Sequence, residues 1–314
     1  MFLVATGSDD KYIRIFDWTT GSLLYTYTQQ KSEVSALKRL PNYQLAVGLV
    51  DGTFSIIHLV NNTIRATISK LNSKDGGISS FVLLNNETLA VCHSSFHVRI
   101  WNLNNLVMKI EFGEFSYSFL SFEYINSKNA IAIGQYNGYL TIWDIKNGQK
   151  IETLYHGNYV SVNSLLMLTN DRLASGDSVN NIIIWNVENW SKIKTIQPGA
   201  SKMILIHNNF IGYINSNSFY LYDLNQINIT SISIANKTTS ISGLNYDTLK
   251  LINRQVIAVS VSNTMINYVN LYNLSNSNYF SLTGWFGDKI KTLELIELCP
   301  GRFNFFTYFF YYFD

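Results

Sequence analysis

Residues 139–154 read YLTIWDIKNGQKIETL. An alternating run leads into Trp143-Asp144, Lys146-Asn147-Gly148 interrupts it, and a second alternating run follows. Alternation with period two is the signature of a strand, and Asn-Gly is a hairpin turn signal. The phrase recurs along the chain: IRIFD ending at Asp17, FSIIH at His58, VRIWN at Asn102, LTIWD at Asp144, IIIWN at Asn186, FYLYD at Asp223 and VNLYN at Asn273. The steps between these ends are 41, 44, 42, 42, 37 and 50 residues. Such a period marks a repeat architecture.

Upstream of each phrase lies a partner run: VATGS, LAVGL, LAVCH, IAIGQ, LASGD, FIGYI and IAVSV. Tight polar turns such as Asp51-Gly52 and Asn137-Gly138 separate the two. A further run follows each phrase (QKIETL), and another precedes each unit (VSALKRL, ISSFVLL, SFLSFEYI, SVNSLLML, KMILIH). Each unit is therefore four short strands, here called a to d in chain order. A lone four-stranded sheet cannot hide both faces, whereas radially stacked repeats can. The expected fold is all-β, a propeller of four-stranded antiparallel blades.

At Trp101, Trp143-Asp144 and Trp185 the chain resembles the WD40 repeat family, with degenerate repeats. LASGDSVNNIIIWN (173–186) and IAIGQYNGYLTIWD (131–144) carry the likeness through strand b, turn and strand c. The repeat positions are Phe16, Asp17, Trp101, Trp143, Asp144, Trp185, Tyr222 and Tyr272. The resemblance implies one domain over 1–314. Its blades are about 1–30 plus 289–298, then 31–71, 76–113, 114–156, 157–198, 199–236 and 237–284, with a tail at 299–314. The chain opens at a strand b, and KIKTLELIEL (289–298) reads as a spare strand a. The resemblance implies that this strand pairs beside residues 2–8 and closes a seven-bladed ring. The aromatic tail looks like the shortened opening of another blade, so eight blades is the rival count.

Blades of this family often bury a network of Ser/Thr, Trp, a turn Asp and a His from the preceding loop. Here it reads as incomplete. Thr6 and Asp10 meet Phe16 instead of Trp, Asp51 meets Ile57, and Ser175, Trp185 and His156 meet Val179 where the Asp is expected. Such blades should rest mainly on apolar burial.

Composition excludes several functions. At 14% charged and 47% hydrophobic, the chain is too apolar for disorder. The net charge is +2 with Lys and Arg scattered, so no nucleic-acid partner is expected. No apolar run approaches the roughly 20 residues that span a bilayer, so no membrane partner is expected. Two distant cysteines, Cys92 and Cys299, make no disulfide framework and point to an intracellular setting, cytoplasmic or nuclear. No phosphate loop, metalloprotease or nucleophile-elbow motif occurs. Asp9-Asp10 reads as a turn pair, His58 as a strand-end cap, and CHSSFH (92–97) as a turn with exposed histidines rather than a metal site. No cofactor, metal or catalytic residue is expected.

On the resemblance, the b–c turns and d–a loops share the top face. They carry Lys11, Tyr117, His97 and His156, and Tyr12, Phe96, Tyr136 and Tyr159 are the candidate partner-binding residues. The implied function is a non-enzymatic scaffold for protein or peptide partners, within a multiprotein complex. The alternatives are the sensor part of a larger signalling receptor, a ubiquitin-ligase substrate receptor, or a propeller enzyme. Lys146 stands where the ligase signature has Arg.

Overall fold

The computed structural model describes most residues between Phe2 and Glu297. Outside the described residues lie Met1, the segments 18–19, 28, 73–74, 114–116, 170, 198–202, 208–209, 216–217, 225–228, 234–244, 254–255, 263–266, 274–278 and 283–289, and everything from 298 onward. The tail and Cys299 therefore fall outside, as does the side chain of Tyr272.

The described chain is all-β but for one short 3-10 turn, Asn126–Lys128. The strands run in fours. The first sheet contains β1 (Phe2–Ser8), β2 (Ile13–Asp17) and β3 (Leu23–Thr26). The second contains β4 (Val34–Leu40), β5 (Gln44–Leu49), β6 (Phe54–His58) and β7 (Thr63–Ile68). In the third are β8 (Ile78–Asn85), β9 (Thr88–His93), β10 (His97–Asn102) and β11 (Met108–Gly113). The fourth holds β12 (Phe119–Ile125), β13 (Ala130–Gln135), β14 (Tyr139–Asp144) and β15 (Lys150–Tyr155). The fifth holds β16 (Val162–Thr169), β17 (Arg172–Asp177), β18 (Ile182–Asn186) and β19 (Lys192–Ile196). The sixth comprises β20 (Met203–His207), β21 (Phe210–Asn215), β22 (Ser218–Asp223) and β23 (Ile229–Ser233). The seventh comprises β24 (Asn245–Asn253), β25 (Val256–Ser262), β26 (Asn267–Asn273) and β27 (Tyr279–Leu282). A last strand, β28 (Ile290–Glu297), returns to the first sheet and pairs antiparallel with β1, Phe2 opposite Glu297 and Thr6 opposite Leu293.

Among the described residues the sheets are antiparallel, six of them meanders of consecutive strands and the first of order β28-β1-β2-β3. Their first strands approach one another in succession: β28 meets β4, β4 meets β8, and so on through β12, β16, β20 and β24 back to β28. Burial follows the same logic. In the first five sheets strands b and c are buried on both faces, as in β9 and β10, while the outer strand β7 is largely exposed. A strand buried on both faces needs a neighbour on each side. The apolar clusters supply them, because each joins consecutive sheets: Ile13 and Ile15 with Val34 and Leu45, then Phe54 and Ile56 with Val91 and Trp101. Ile100 and Phe112 likewise meet Ile131 and Trp143, Leu140 meets Leu173 and Trp185, and Ile184 meets Tyr213 and Tyr222.

Four of the aromatics that mark the repeat, Trp101, Trp143, Trp185 and Tyr222, sit in these seams. Phe16, Trp101, Trp143, Trp185 and Tyr222 are all buried. Each indole packs toward the preceding sheet: Trp101 edge-on to Phe54 at 5.5 Å, Trp143 stacked on Phe112 at 5.6 Å. The polar residue that ends strand c has a different task. Asp144 Oδ1 accepts the backbone N–H of Lys146 at 2.7 Å, and Asn102 and Asn186 do the same for Asn104 and Glu188 at 2.8 and 2.7 Å. These side chains close the c–d turn, which explains why Asp and Asn recur there. His58 does not do so: its Nδ1 is buried and has no hydrogen-bond partner among the described residues, which corrects its reading as a cap.

Candidate functional site

The b–c turns and the loops that precede strand a lie at one end of each sheet. A repeated backbone bond ties them: Val50 N–H to Glu33 O at 3.0 Å, Ser94 to Gly77 at 2.9 Å, Tyr136 to Ser118 at 3.0 Å, and Ser178 to Ser161 at 3.0 Å. The turns share a left-handed residue at one position, Lys11, Gly52, Phe96, Gly138 and Asn180. At Gly138 (φ +83) a Cβ would stand 2.2 Å from the Gly157 carbonyl oxygen, so the crossing loop fits only over glycine. Phe96 adopts φ +80 at this position, an uncommon state for a bulky residue.

Beneath the loops of the fifth sheet lies a buried polar network. The Trp185 indole N–H donates to Ser175 Oγ at 2.7 Å, and His156 Nε2 lies 3.1 Å from the Ser175 carbonyl oxygen. His156 Nδ1 approaches Asp177 Oδ2 at 3.1 Å, a close polar contact rather than an aligned hydrogen bond. The network is thus complete, which corrects its reading as lacking an acid. Asp177, at the end of β17, supplies the carboxylate, and Val179 is exposed. Asp177 Oδ1 also accepts the N–H groups of Val179 and Asn181 at 2.9 and 2.8 Å, holding the turn. His156 is buried rather than displayed, and burial lowers its pKa.

In the third sheet the same positions carry the opposite residues. Asp75, from the loop before β8, takes the place of His156, and His93 at the end of β9 takes the place of Asp177. Arg99 on β10 is added between them. Its Nη1 and Nη2 donate to Asp75 Oδ2 and Oδ1 at 2.7 and 2.8 Å, and its Nε donates to Glu111 Oε2 at 2.9 Å. His93 and His97 stack at 4.5 Å beside it, and His97 Nε2 lies 3.2 Å from Asp75 Oδ1. Both histidines are buried, which corrects the reading of CHSSFH as an exposed turn. Burial, then the neighbouring His97, pushes His93 down to about 4. Burial and the Arg99 charge push His97 down as well. Burial alone would raise the Asp75 carboxyl, but Arg99 and the N–H groups of Asn72 and Leu71 hold it well below the usual carboxylate range. Cys92 points away into an apolar cluster, where burial raises its pKa. No group of three or more His, Cys, Asp or Glu suited to a metal ion occurs among the described residues.

The other described sheets vary the same theme. In the fourth, Thr141 Oγ1 accepts from Trp143 Nε1 at 3.0 Å and from Gln135 Nε2 at 3.3 Å. In the first, Asp10 accepts from Arg14 at 2.7 Å and from the Tyr12 N–H at 3.1 Å, so Asp10 holds its turn. Thr6 Oγ1 and Trp101 Nε1 are among the buried groups without a hydrogen-bond partner among the described residues. Thr6 and Phe16 hold the repeat positions of Ser175 and Trp185, but Phe16 has no N–H; Val91 and Trp101 hold them in the third sheet, but Val91 has no hydroxyl.

Above these networks the sequence-predicted binding residues separate. Tyr136 and Tyr159 are 67% and 103% exposed. Tyr12 and Phe96 are half-buried: the Arg14 guanidinium sits 5.3 Å over the Tyr12 ring, and Phe96 packs on the apolar cluster between the third and fourth sheets. Tyr136 and Tyr159 instead join Tyr117, already expected on this face, and two tyrosines that sequence reasoning did not group with them. Tyr139 and Tyr155 face each other across β14 and β15 at 5.1 Å, and Tyr117 lies exposed next to Ser118, which accepts the Tyr136 N–H.

A scan against protein-family models and a search of curated proteins return no match to this chain. Among the described residues, no helix is long and apolar enough to cross a membrane.

Proposed function

We propose that the chain is a seven-bladed β-propeller of the WD40 type, closed by β28, that serves as a non-enzymatic scaffold and binds protein or peptide partners through its loop-bearing top face. The pairing of β28 with β1 and the succession of first strands from β28 round to β24 support the closed ring. The exposure of Tyr136 and Tyr159 carries the binding reading. Large amphipathic rings held on short turns over a rigid sheet offer contact area at low entropic cost, and such residues are frequent hot spots. The polar clusters below are occupied in holding the loops. Arg99, Asp75, His156 and Asp177 are buried and engaged with one another, whereas a general acid or base must reach a substrate.

The test is a photo-reactive residue placed at position 136, with a second placed at exposed Val107 in a c–d turn as control. Specific adducts from native lysate should form at 136 and be outcompeted by unlabelled protein, while 107 gives few. Adducts confined to 107, or turnover of a substrate abolished by one buried-cluster substitution, overturn the reading.

A further inference from the structure

The tyrosines occupy one corner of the molecule. Tyr136 and Tyr139 flank the turn between β13 and β14, Tyr155 ends β15, and Tyr159 lies in the loop that leads to β16. The His156 N–H donates to the Gly138 carbonyl at 2.9 Å, so this loop lies directly on that turn. Ser161 and Ser178 bond reciprocally, N–H to Oγ at 3.1 Å and N–H to O at 3.0 Å, which extends the surface onto the turn of the fifth sheet. All five tyrosines are exposed.

Among the described residues charge is absent from this band. Residues 94–96, 117–118, 136–139, 155–161 and 178–181 contain no Asp, Glu, Lys or Arg, and His156 is turned inward to Asp177. The equivalent turn of the first sheet, by contrast, carries Asp9, Asp10 and Lys11. What remains is Tyr, Asn, Ser and Gly with Phe96 and single aliphatic residues, the composition of recognition loops that bind through rigid aromatic rings and adaptable polar groups. A partner for such a surface brings no charge that must be desolvated without a counter-ion. It brings apolar rings and free backbone carbonyls. The hydroxyl of Tyr155 is bonded to Asn158, whereas those of Tyr117, Tyr136, Tyr139 and Tyr159 make no hydrogen bond among the described residues and are available as donors. A helix offers carbonyls already bonded along its length. A polyproline II segment has no internal hydrogen bonds, so its carbonyls are free, and its pyrrolidine rings pack on aromatic faces with little ordering cost.

We infer that this tyrosine band is a docking site for an uncharged, proline-rich peptide segment in the polyproline II conformation. The inference rests on the binding reading above and names the partner class for one part of that face.

The probe is a fluorescein-labelled peptide of about ten prolines, long enough for about three turns of the helix, titrated by anisotropy against the full chain. A Gly-Ser peptide of equal length and the neutral sugar maltoheptaose serve as competitors. Polyproline should bind saturably and with little change between low and high salt, since no ion pair forms. Y136S/Y159S should weaken it about tenfold or more with unchanged melting, because both side chains are exposed. Y136F/Y159F, which keeps the rings, should retain an intermediate affinity. Absence of polyproline binding, equal binding by both serine and parent chains, or displacement by maltoheptaose instead of by unlabelled polyproline overturns the inference. If polyproline fails while the cross-linker at 136 still captures a partner, only the partner class is wrong. If both fail, the binding reading falls with it.

Discussion

Arg99 and Asp75 form a two-bond ion pair inside the protein, Nη1 to Oδ2 at 2.7 Å and Nη2 to Oδ1 at 2.8 Å. The pair joins the loop before β8 to the middle of β10, and Glu111 on β11 takes the guanidinium Nε. A carboxylate with almost no exposure is stable there only while its partner is present. Asp75→Asn should cost about 3–5 kcal/mol by leaving the arginine charge buried against a neutral group. Replacing both, D75N with R99M, should recover much of that loss. Equilibrium denaturation of the two variants checks it; a double variant no better than the single one would show that the pair does not act as a unit.

Acid should weaken the buried clusters of the third and fifth sheets in two stages. His93, His97 and His156 have lowered pKa values in the fold, His93 about 4 against 6.5 unfolded. The unfolded chain therefore takes up their protons first as pH falls. Their contribution is complete above about pH 6.5 and is lost progressively toward about pH 4. Facing His93 and His97 are Asp75 from the preceding loop, Arg99 on their own hairpin and Glu111 on β11. Asp75 is depressed below its unfolded 3.8, so its stabilisation begins to fall below that pH. Melting temperature against pH should decline between 6.5 and 4 and then steepen, and H93Q should flatten the first decline.

The orphaned Trp101 indole offers a gain. Val91 pairs with Arg99 as Ser175 pairs with Ile183, each partner two residues before the indole, and Val91 is fully buried. Val91→Thr keeps the branched shape and adds a hydroxyl within reach of the indole. It should stabilise by about 1 kcal/mol, the net worth of one hydrogen bond. A loss of stability would mean that the hydroxyl finds no partner and is merely buried.

Trp143 should behave as a structural residue. It stacks on Phe112 of the preceding sheet and donates to Thr141. Trp143→Ala should cost about 3–5 kcal/mol through the cavity it leaves. Full stability with loss of a partner would place it in an interface instead.

Ending the chain at residue 288 removes β28 and exposes the hydrogen-bonding edge of β1. The melting temperature should fall by several degrees, and exposed edges promote association, which light scattering would record. An unchanged melting temperature in a monomeric product would refute closure through this strand.

Most of the strand framework was legible in the sequence. Alternation is a local property, and each repeat states it again, so the hairpins, the buried indoles and the spare strand at 289–298 could be found by spacing alone. The buried networks could not. Asp75 lies 24 residues from Arg99, and nothing in SKDGG distinguishes it from an ordinary turn acid. Loop length decides which residue reaches inward. Asp75 stands three residues before β8, whereas His156 stands six before β16, so matching repeats by position hides their equivalence. The tyrosine corner has the same origin. Tyr117, Tyr136 and Tyr159 belong to separate turns and loops and Tyr155 ends a strand, and only sheet pairing together with the crossing at Gly138 sets them side by side. Periodicity determines which face of a strand is buried; the side chains that meet above it are decided by how the loops cross between sheets.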